Sequence, residues 1–406
     1  MLKRLIIIFS TLHLNILNSE AFDFQFHPDS RLSITQILTK YGYPVEIHNV
    51  ITEDDYIITV FRIPHGKNST KTHKYPVILV PGTCGCSENF IGAGIDHAIG
   101  YFLSDRGFDV WLTNTRGNLH AQKHKTMDPE RDRKFWNFGW HEVAIYDTTA
   151  LVDYILNATK ASQAFYIGHS QGTTSYFAWL AEKPEYNEKI KLAVHLGPSV
   201  IYTNVRSPVA VMGKHASLIE KITKAFGLHY LFPRPITMFL NFLVRTLCAE
   251  MTVFVDLCYL IIYFGAYSKT NFVEPKNVQV LLQTFPAGCS VKELLHYFQI
   301  IHSGSFTKYD YGAKGNMKKY GTYTPPLYNL SNILAPVSLF VAHGDNVVPW
   351  EGVRDFITML PNIDSVFDIP IESFNHVDYI FSNITTQYVN EPVYQLFMKH
   401  LQNKKT

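Results

Sequence analysis

Short apolar runs, each followed by a longer stretch of helical or loop character, limit the fold of this 406-residue chain more than any other feature. Such runs lie at Val77 to Val80, Val110 to Thr113, Phe165 to Ile167 and Leu192 to Leu196. Between the second and the third, Val143 to Leu156 carries apolar residues at helical spacing. A strand that helices cover on both faces becomes a continuous apolar run. The alternation therefore predicts an α/β fold, a mostly parallel sheet with helices on both faces.

Strand patterns before and after these runs extend the predicted sheet. Glu46 to Ile51 and Tyr56 to Phe61 are β-rich and flank the turn Thr52 to Asp55, which predicts a hairpin. The strand pattern resumes at Val337 to Val341 and again at Ser365 to Ile369. Because the pattern is interrupted between Leu196 and Val337, we expect one α/β domain with a helical cap inserted late in its sheet.

The predicted organisation has four parts. They are a signal peptide at 1–21, the first part of the core at 22–198, a helical cap or lid at 199–329, and the second part of the core at 330–406. Within the cap, Asn241 to Gly265 is strongly apolar, so a transmembrane span is an alternative there. Arg245, Glu250 and Asp256 interrupt it, and no uncharged run reaches the roughly 18 residues of a span. The segment is therefore interpreted as an apolar face of the cap, and the mature chain is expected to have no transmembrane span.

The N-terminus has the pattern of a secretory signal peptide. Lys3-Arg4 precedes the apolar run Leu5 to Phe9, and Ser19-Glu20-Ala21 places small residues before Phe22, where we expect cleavage. An uncleaved anchor or a buried N-terminal helix are the alternatives. Four Asn-x-Ser/Thr sequons predict glycosylation and support a secretory route. They are Asn68, Asn157, Asn329 and Asn383.

Composition excludes several classes of protein. The 36 basic and 34 acidic side chains nearly cancel, so no charge pattern for nucleic acid is present. Charged residues are only 17% of the chain and aromatic residues 14%, which excludes a disordered chain and suits contact with apolar ligands. Five cysteines do not make a disulfide scaffold in a chain of this length, and at least one thiol is expected to stay unpaired. Cys84-Gly85-Cys86 has the spacing of a metal or redox pair, but no cluster of zinc spacing accompanies it, so we expect no metal site.

Gly168-His169-Ser170-Gln171-Gly172 matches the Gly-x-Ser-x-Gly nucleophile elbow. A strand-like run precedes the motif, and a stretch that can be helical follows it. The two glycines allow the backbone to turn close to neighbouring elements, and the turn exposes the Ser170 hydroxyl at the positive end of a helix. Ser170 is therefore the predicted nucleophile.

A serine nucleophile needs a base, and the base needs a carboxylate that orients it. In chain order the carboxylate and the histidine follow the serine. Asp345 follows the strand at Val337 to Val341, and His376 follows the strand that ends at Ile369, so both are expected at one edge of the sheet. Asp345 is the predicted orienting acid and His376 the predicted base. Asp378 is the alternative acid and His343 the alternative base.

The oxyanion hole is expected to consist of two backbone amides. One is the amide of Gln171, directly after the nucleophile, and the other comes from the loop after the strand at Val77 to Val80. That loop reads Pro81-Gly82-Thr83-Cys84, in which Gly82 permits the turn and the Thr83 amide is the predicted donor.

Beyond these residues, the chain resembles acid lipases of the gastric and lysosomal type, a family with the α/β-hydrolase fold that acts on triacylglycerols and steryl esters. The resemblance spans nearly the whole mature chain. It rests on Tyr41 to Glu46, Thr52 to Asp54, Asp109 to Leu112, Asn114 to Asn118, Gly168 to Gly172, Pro286 to Gly288, His302 to Phe306, Tyr309 to Gly312 and Asn375 to Tyr379. The nucleophile, acid and base of that family fall on Ser170, Asp345 and His376. The resemblance also implies a cap disulfide between Cys248 and Cys258, whereas Pro81-Gly82-Thr83 stands where the family usually has His-Gly-Leu.

These features predict a secreted or lysosomal ester hydrolase that acts on neutral lipid at a lipid–water interface, without metal or organic cofactor. A catalytically silent lipid-binding protein on the same scaffold is the first alternative, since a fold does not determine a function. An esterase for small soluble substrates is the second, and the long apolar cap argues against it.

Overall fold

The computed structural model describes residues 27–205, 212–232 and 272–402. The strands are β1 (Glu46–Ile51), β2 (Ile57–Ile63), β3 (Val77–Val80), β4 (Val110–Leu112), β5 (Ala164–His169), β6 (Ile190–Leu196), β7 (Tyr230–Leu231), β8 (Cys289–Ser290), β9 (Val337–Val341) and β10 (Ile363–Asp368). The longer helices are α1 (Ile34–Lys40), α2 (Ile99–Asp105), α3 (Thr149–Thr159), α4 (Gln171–Glu182), α5 (Ala216–Ala225), α6 (Pro275–Thr284), α7 (Val291–Ser303), α8 (Gly312–Tyr320), α9 (Trp350–Ile357) and α10 (Glu391–Gln402).

Eight of these strands form one sheet in the order β1-β2-β4-β3-β5-β6-β9-β10. β1 and β2 form the predicted antiparallel hairpin, and β2 also pairs antiparallel with β4. All other pairs in the sheet are parallel, so the carboxyl ends of β3, β5, β6, β9 and β10 lie along one edge. The predicted mostly parallel α/β sheet is confirmed.

Side chains of the central strands enter two separate apolar layers, one on each face of the sheet. On β5, Phe165 packs with Leu103 of α2 and Phe397 of α10, while Tyr166 belongs to the opposite layer with Val152 of α3 and Trp179 of α4. Neighbouring residues of a strand point to opposite faces, so a strand between two such layers must be apolar at every position. This is the physical reason for the continuous apolar runs in the sequence.

The helix predicted over Val143 to Leu156 is present but changes geometry along its length. Val143–Thr148 is a π-helical turn, and regular α-helix begins at Thr149. The buried carboxylate of Asp147 lies in this turn and forms an ion pair with Arg116 at 2.6 Å. Wide turns of this kind often accompany functional residues.

Between β6 and β9 the chain leaves the sheet, and we call residues 199–329 the inserted segment. Its described part contains α5, α6, α7 and α8, and none of it joins the eight-stranded sheet. The segment was expected to be wholly helical, which is wrong in one respect, because β7 and β8 form a short antiparallel pair. The predicted signal peptide, the apolar stretch Asn241 to Gly265 and the predicted Cys248–Cys258 disulfide lie outside the described residues. No helix in the described part combines the length and apolarity needed to cross a membrane.

Candidate active site

Ser170 occupies a strained turn between β5 and α4. Its backbone has φ 51° and ψ −115°, a conformation that residues with a side chain rarely adopt. The turn is tight, because a Cβ on Gly172 would lie 2.3 Å from the Val80 carbonyl oxygen and one on Gly168 would lie 2.7 Å from Gly172 backbone. Only glycine fits at these two positions. The structure thus gives Ser170 the elbow geometry that the motif predicts.

His376 and Asp345 contact each other at the same edge of the sheet. His376 Nδ1 lies 2.7 Å from Asp345 Oδ2, and both side chains are buried. The other carboxylate oxygen of Asp345 accepts hydrogen bonds from the amides of Val347 at 2.9 Å and Val348 at 2.8 Å. A carboxylate on Nδ1 places the imidazole proton on that nitrogen, so Nε2 carries the lone pair.

Two further contacts fix the ring of His376 near the elbow. His169 Nε2 donates a hydrogen bond to the His376 carbonyl oxygen at 3.0 Å, and burial lowers the pKa of His169 to about 3, which keeps it neutral. The Ser170 amide donates to Leu196 O at 3.1 Å, and a Cβ on the adjacent Gly197 would lie 3.0 Å from His376 Cε1. Ser170 and His376 therefore both lie against the end of β6. His376 Nε2 is buried without a hydrogen-bond partner among the described residues, which leaves its lone pair able to accept a proton.

The alternative acid and base have other contacts. Asp378 Oδ2 accepts a hydrogen bond from the Asn375 amide at 2.8 Å, at the start of a short helix, Asp378–Phe381. His343 is half-exposed and pairs with Asp368 at 3.0 Å. The contact expected between the orienting acid and His376 Nδ1 is thus made by Asp345.

The loop after β3 passes directly beside Ser170, as the oxyanion prediction requires. A Cβ on Gly82 would lie 3.0 Å from the Ser170 Cβ. The Thr83 hydroxyl donates a hydrogen bond to Gln171 Oε1 at 3.0 Å, so the two predicted oxyanion residues are in contact through their side chains. Gln171 is also the first residue of α4, where the helix dipole favours negative charge.

Sequence reasoning missed a disulfide in this loop. Cys84 is bonded to Cys289 at the start of β8, with 4.9 Å between their Cα atoms and a sequence separation of 205. Cys86 keeps a free, buried thiol, which agrees with the expectation of an unpaired cysteine, and burial raises its pKa. The described residues contain no group of three metal-ligating side chains. The Cys84–Cys86 spacing therefore reflects one bridged and one buried cysteine.

Glu293 of α7 is a second residue that sequence reasoning missed. Its side chain is 1% exposed, and Oε1 accepts a hydrogen bond from Gln171 Nε2 at 2.7 Å. Oε2 accepts from the Ser290 amide at 2.8 Å, completing a capping box at the start of α7. Burial raises the pKa of Glu293 to about 8. The Ser-x-x-Glu pattern before an apolar run marks the cap in the sequence, but not the contact with Gln171.

The four predicted glycosylation sites all have exposed asparagine side chains. They are Asn68, Asn157, Asn329 and Asn383. Exposure is what glycan attachment requires, and glycosylation itself stays a prediction.

Comparison with known proteins identifies the family to which this chain belongs. The family model of the alpha/beta hydrolase fold matches residues 75–382, and that of a partial alpha/beta-hydrolase lipase region matches residues 34–94. Lipase 3 of Drosophila melanogaster is 35% identical over 87% of this chain and 89% of its own length. Gastric triacylglycerol lipase of Bos taurus is 33% identical over 91% and 92%, and human lysosomal acid lipase/cholesteryl ester hydrolase is 32% identical over 87% and 88%.

Solved structures agree on the fold. A putative lipase from Sulfolobus solfataricus superposes with a TM-score of 0.54 at 15% sequence identity, covering 87% of this chain and 99% of that one. At such low identity the match concerns the fold alone. The relatives above 30% identity and the family model show that this chain belongs to the gastric and lysosomal type of acid lipases, serine ester hydrolases with the α/β-hydrolase fold.

Proposed function

We propose that this protein hydrolyses the ester bonds of neutral lipids, triacylglycerols and steryl esters, through an acyl-enzyme formed on Ser170. The observation that carries the proposal is the 2.7 Å contact between His376 Nδ1 and Asp345, made beside a strained Ser170. The substrate class is supported by the names of two relatives, gastric triacylglycerol lipase and lysosomal acid lipase/cholesteryl ester hydrolase.

In the first half-reaction the Ser170 oxygen attacks the ester carbonyl carbon while His376 Nε2 takes its proton. Asp345 holds the ring through Nδ1 and stabilises the imidazolium that forms. The amides of Thr83 and Gln171 donate hydrogen bonds to the oxyanion of the tetrahedral intermediate. The intermediate collapses, the carbon–oxygen bond to the alcohol breaks, and His376 returns its proton to the leaving oxygen.

In the second half-reaction water replaces the alcohol. His376 Nε2 removes a proton from the water as it attacks the acyl carbonyl, and the same two amides hold the second oxyanion. Collapse breaks the bond to Ser170 Oγ, which regains its proton from His376, and the fatty acid leaves. The chain, the ester and water supply every proton and electron pair in this sequence.

We also infer that the partner surface is a lipid–water interface, which the exposed face of α5 supports. Leu218, Ile222 and Phe226 are spaced four residues apart and are 54%, 45% and 77% exposed. Ile219 on the other side packs against the cluster around Leu295 of α7. Exposing an apolar stripe of this kind to water costs free energy, and contact with lipid removes that cost.

A secreted or lysosomal location is supported by the exposed sequons and by the gastric and lysosomal relatives.

Replacement of Ser170 by alanine tests the proposal. Rates on triolein, cholesteryl oleate and a dissolved short-chain ester, measured from pH 4 to pH 8, are expected to fall by at least about 10⁴-fold in Ser170→Ala. A serine-directed fluorophosphonate is expected to label the wild type and not this variant. The matched control is Ser175→Ala, which removes a buried hydroxyl from the same helix and is expected to keep both activity and labelling.

The same experiment separates the alternatives. A wild-type protein that binds these lipids but neither hydrolyses them nor reacts with the fluorophosphonate would be a silent lipid carrier. Hydrolysis of the dissolved ester alone would identify an esterase for small substrates. Labelling that persists in Ser170→Ala would move the nucleophile to another residue.

A further inference from the structure

The oxyanion hole of the proposed mechanism is connected by side chains to α7 of the inserted segment. The Thr83 hydroxyl donates to Gln171 Oε1 at 3.0 Å, and Gln171 Nε2 donates to Glu293 Oε1 at 2.7 Å. The carboxamide of Gln171 therefore has a partner on each side. We call these three side chains the Thr83–Gln171–Glu293 relay.

A second contact from α7 reaches the same elbow helix. Tyr297 lies four residues after Glu293, on the same face of α7. Its hydroxyl lies 2.8 Å from Thr174 Oγ1 of α4, and both of these groups are buried. Because α7 contacts α4 at two successive turns, the position of Glu293 relative to Gln171 is fixed.

The other end of the relay is held by the backbone of the oxyanion loop. Cys84, directly after Thr83, is bonded to Cys289, and its carbonyl oxygen accepts a hydrogen bond from the Ala287 amide at 2.7 Å. Ala287, Cys289 and Glu293 all belong to one short stretch of the inserted segment. This stretch therefore contacts both sides of the oxyanion hole, the loop at Cys84 and the elbow helix at Gln171.

Geometry explains why such contacts matter. An oxyanion donor must lie about 2.7–3.1 Å from the developing negative charge, and its contribution depends on being held there before the reaction. Gly82 gives the loop conformational freedom, and Cys84 has a positive φ of 52°. In a loop whose backbone can adopt several conformations, side-chain hydrogen bonds determine the direction of the amides.

We propose that Thr83, Gln171 and Glu293 act through their side chains as positioning residues that hold the two oxyanion amides in register, so that the inserted segment contributes to the chemistry of the core. This inference rests on the proposed ester hydrolysis. The relay is expected to affect the transition state and not substrate binding, because its side chains bond to one another and only the two amides bond to the oxyanion.

Two isosteric variants break the relay, and a conservative variant serves as the control for the first of them. Thr83→Val removes the hydroxyl and Gln171→Met removes the carboxamide, whereas Thr83→Ser keeps the donor. Each broken relay is expected to lower kcat by about 10-fold to 100-fold, the loss typical of slightly misplaced catalytic groups, and to leave KM unchanged. Thr83→Ser retains the hydroxyl donor and is expected to recover most of the kcat that Thr83→Val loses. The double variant is expected to lose no more than the worse single one, since both changes break the same contact.

Glu293 needs its own control because it also caps α7. Glu293→Leu removes the relay contact and the capping box, whereas Ser290→Ala weakens the cap and leaves the Gln171–Glu293 contact in place. Both are expected to lower the thermal midpoint, but only Glu293→Leu is expected to lower kcat. If Glu293→Leu does not fold, the comparison of Thr83→Val with Thr83→Ser tests the relay on its own.

Three results overturn the relay alone: wild-type kcat in Thr83→Val and Gln171→Met, equal kcat losses in Glu293→Leu and Ser290→Ala, or losses that appear in KM instead of kcat. Failure of the proposed function is a different result. It would show as a wild-type protein without ester hydrolysis, or as full activity in Ser170→Ala.

Discussion

At the scale of single residues, two buried aspartates near His376 show how position separates chemically identical groups. Asp345 accepts hydrogen bonds from His376 Nδ1 and from two backbone amides, so its negative charge is both stabilised and directed at the ring. Asp378, two residues from His376, accepts the Asn375 amide at the start of a helical turn. Asp345 thus contacts the His376 ring, whereas Asp378 accepts a hydrogen bond from the backbone at the start of the helix that follows.

We predict that Asp345→Asn lowers kcat by about 10⁴-fold, because an amide cannot stabilise the imidazolium and favours the wrong tautomer. Thermal stability is expected to change little, since the new side-chain oxygen can still accept the Val347 and Val348 amides. Asp378→Asn serves as the control in the same assay and is expected to keep most of the activity. The opposite ranking of the two variants would make Asp378 the acid of the triad.

The residues predicted from sequence are those that the local pattern determines. Asp345 follows the buried strand β9 and His376 follows the edge strand β10. Parallel strands bring their carboxyl ends to one edge of the sheet, so the meeting of these two residues follows from the order of elements. The Cys84–Cys289 bond and the Glu293–Gln171 contact each join parts of the chain more than 100 residues apart. Such contacts depend on how the inserted segment packs on the core, which no local pattern expresses.

At the scale of elements, the turn from β5 to α4 combines a strained backbone with very close packing. β5 is completely buried, and Ser170 alone separates its end from the start of α4, so the backbone must reverse direction against β3. Gly172 touches the Val80 carbonyl region, and Tyr166 donates a hydrogen bond to Gly172 O at 2.7 Å. Strain at Ser170 is maintained because the surrounding strands and helix leave no space for another path.

We predict that Gly172→Ala destabilises the protein by about 1–3 kcal/mol, the usual cost of overpacking, because its Cβ would lie 2.3 Å from Val80 O. Gly139→Ala is the control, since a Cβ there would have its nearest atom at 3.5 Å. Denaturant unfolding compares the two variants with the wild type. Equal stability of Gly172→Ala and the wild type would show that the elbow relaxes more easily than its contacts indicate.

The prediction of elements succeeded where periodicity is long and failed where it is short. Strands of four or more apolar residues were placed within a few residues of their observed ends, because burial on both faces excludes polar residues from them. The pair of β7 and β8 has two residues in each strand, too few for any alternation to appear. The π-helical turn at Val143–Thr148 was also missed, since one extra residue in a turn barely changes a helical pattern.

At the scale of the whole molecule, the apolar stripe of α5 provides a test of the lipid interface. Ile222→Asp and Phe226→Asp are expected to lower activity on emulsified triolein, because each removes apolar area whose transfer to lipid gains roughly 25 cal/mol per Å². Activity on a dissolved short-chain ester is expected to stay near that of the wild type. Leu334→Asp is the control, since Leu334 is 60% exposed and its amide donates a hydrogen bond to Asn187 of the core. Equal losses on both substrates, or an equal effect of Leu334→Asp, would contradict an interfacial role of this stripe.

Buried neutral histidines are expected to limit the stability of the whole molecule in acid. Burial lowers the pKa of His195 and of His169 to about 3 and that of His296 well below its usual value. In the unfolded chain these histidines bind protons below about pH 6.5, whereas in the folded chain they stay neutral until about pH 3. Their burial therefore leaves the free energy of unfolding unchanged above about pH 6.5 and lowers it progressively as the pH falls toward about 3. Glu293 has the opposite effect at higher pH, because burial raises its pKa to about 8. The unfolded chain releases this proton above about pH 4.5 while the folded chain keeps it, so the free energy of unfolding falls as the pH rises from about 4.5 to 8. We therefore expect the free energy of unfolding to be greatest near pH 6 to 7.

His195 provides the sharpest test, because both ring nitrogens are buried without a hydrogen-bond partner among the described residues and the ring packs against Tyr176 and Phe177. His195→Leu nearly conserves volume, so at pH 7.5 its free energy of unfolding is expected within about 1.5 kcal/mol of the wild type. At pH 5 the free energy of unfolding of the variant, compared with that of the wild type, is expected to be about 2 kcal/mol more favourable than at pH 7.5. The reason is that protonation of His195 in the unfolded state, over about 1.5 pH units, destabilises the wild type alone. Denaturant unfolding at both pH values measures this gain, with His302→Leu at an exposed position as control. An identical acid loss in His195→Leu and the wild type would assign the acid limit to other groups, because a neutral leucine at this position has no proton to bind in either state.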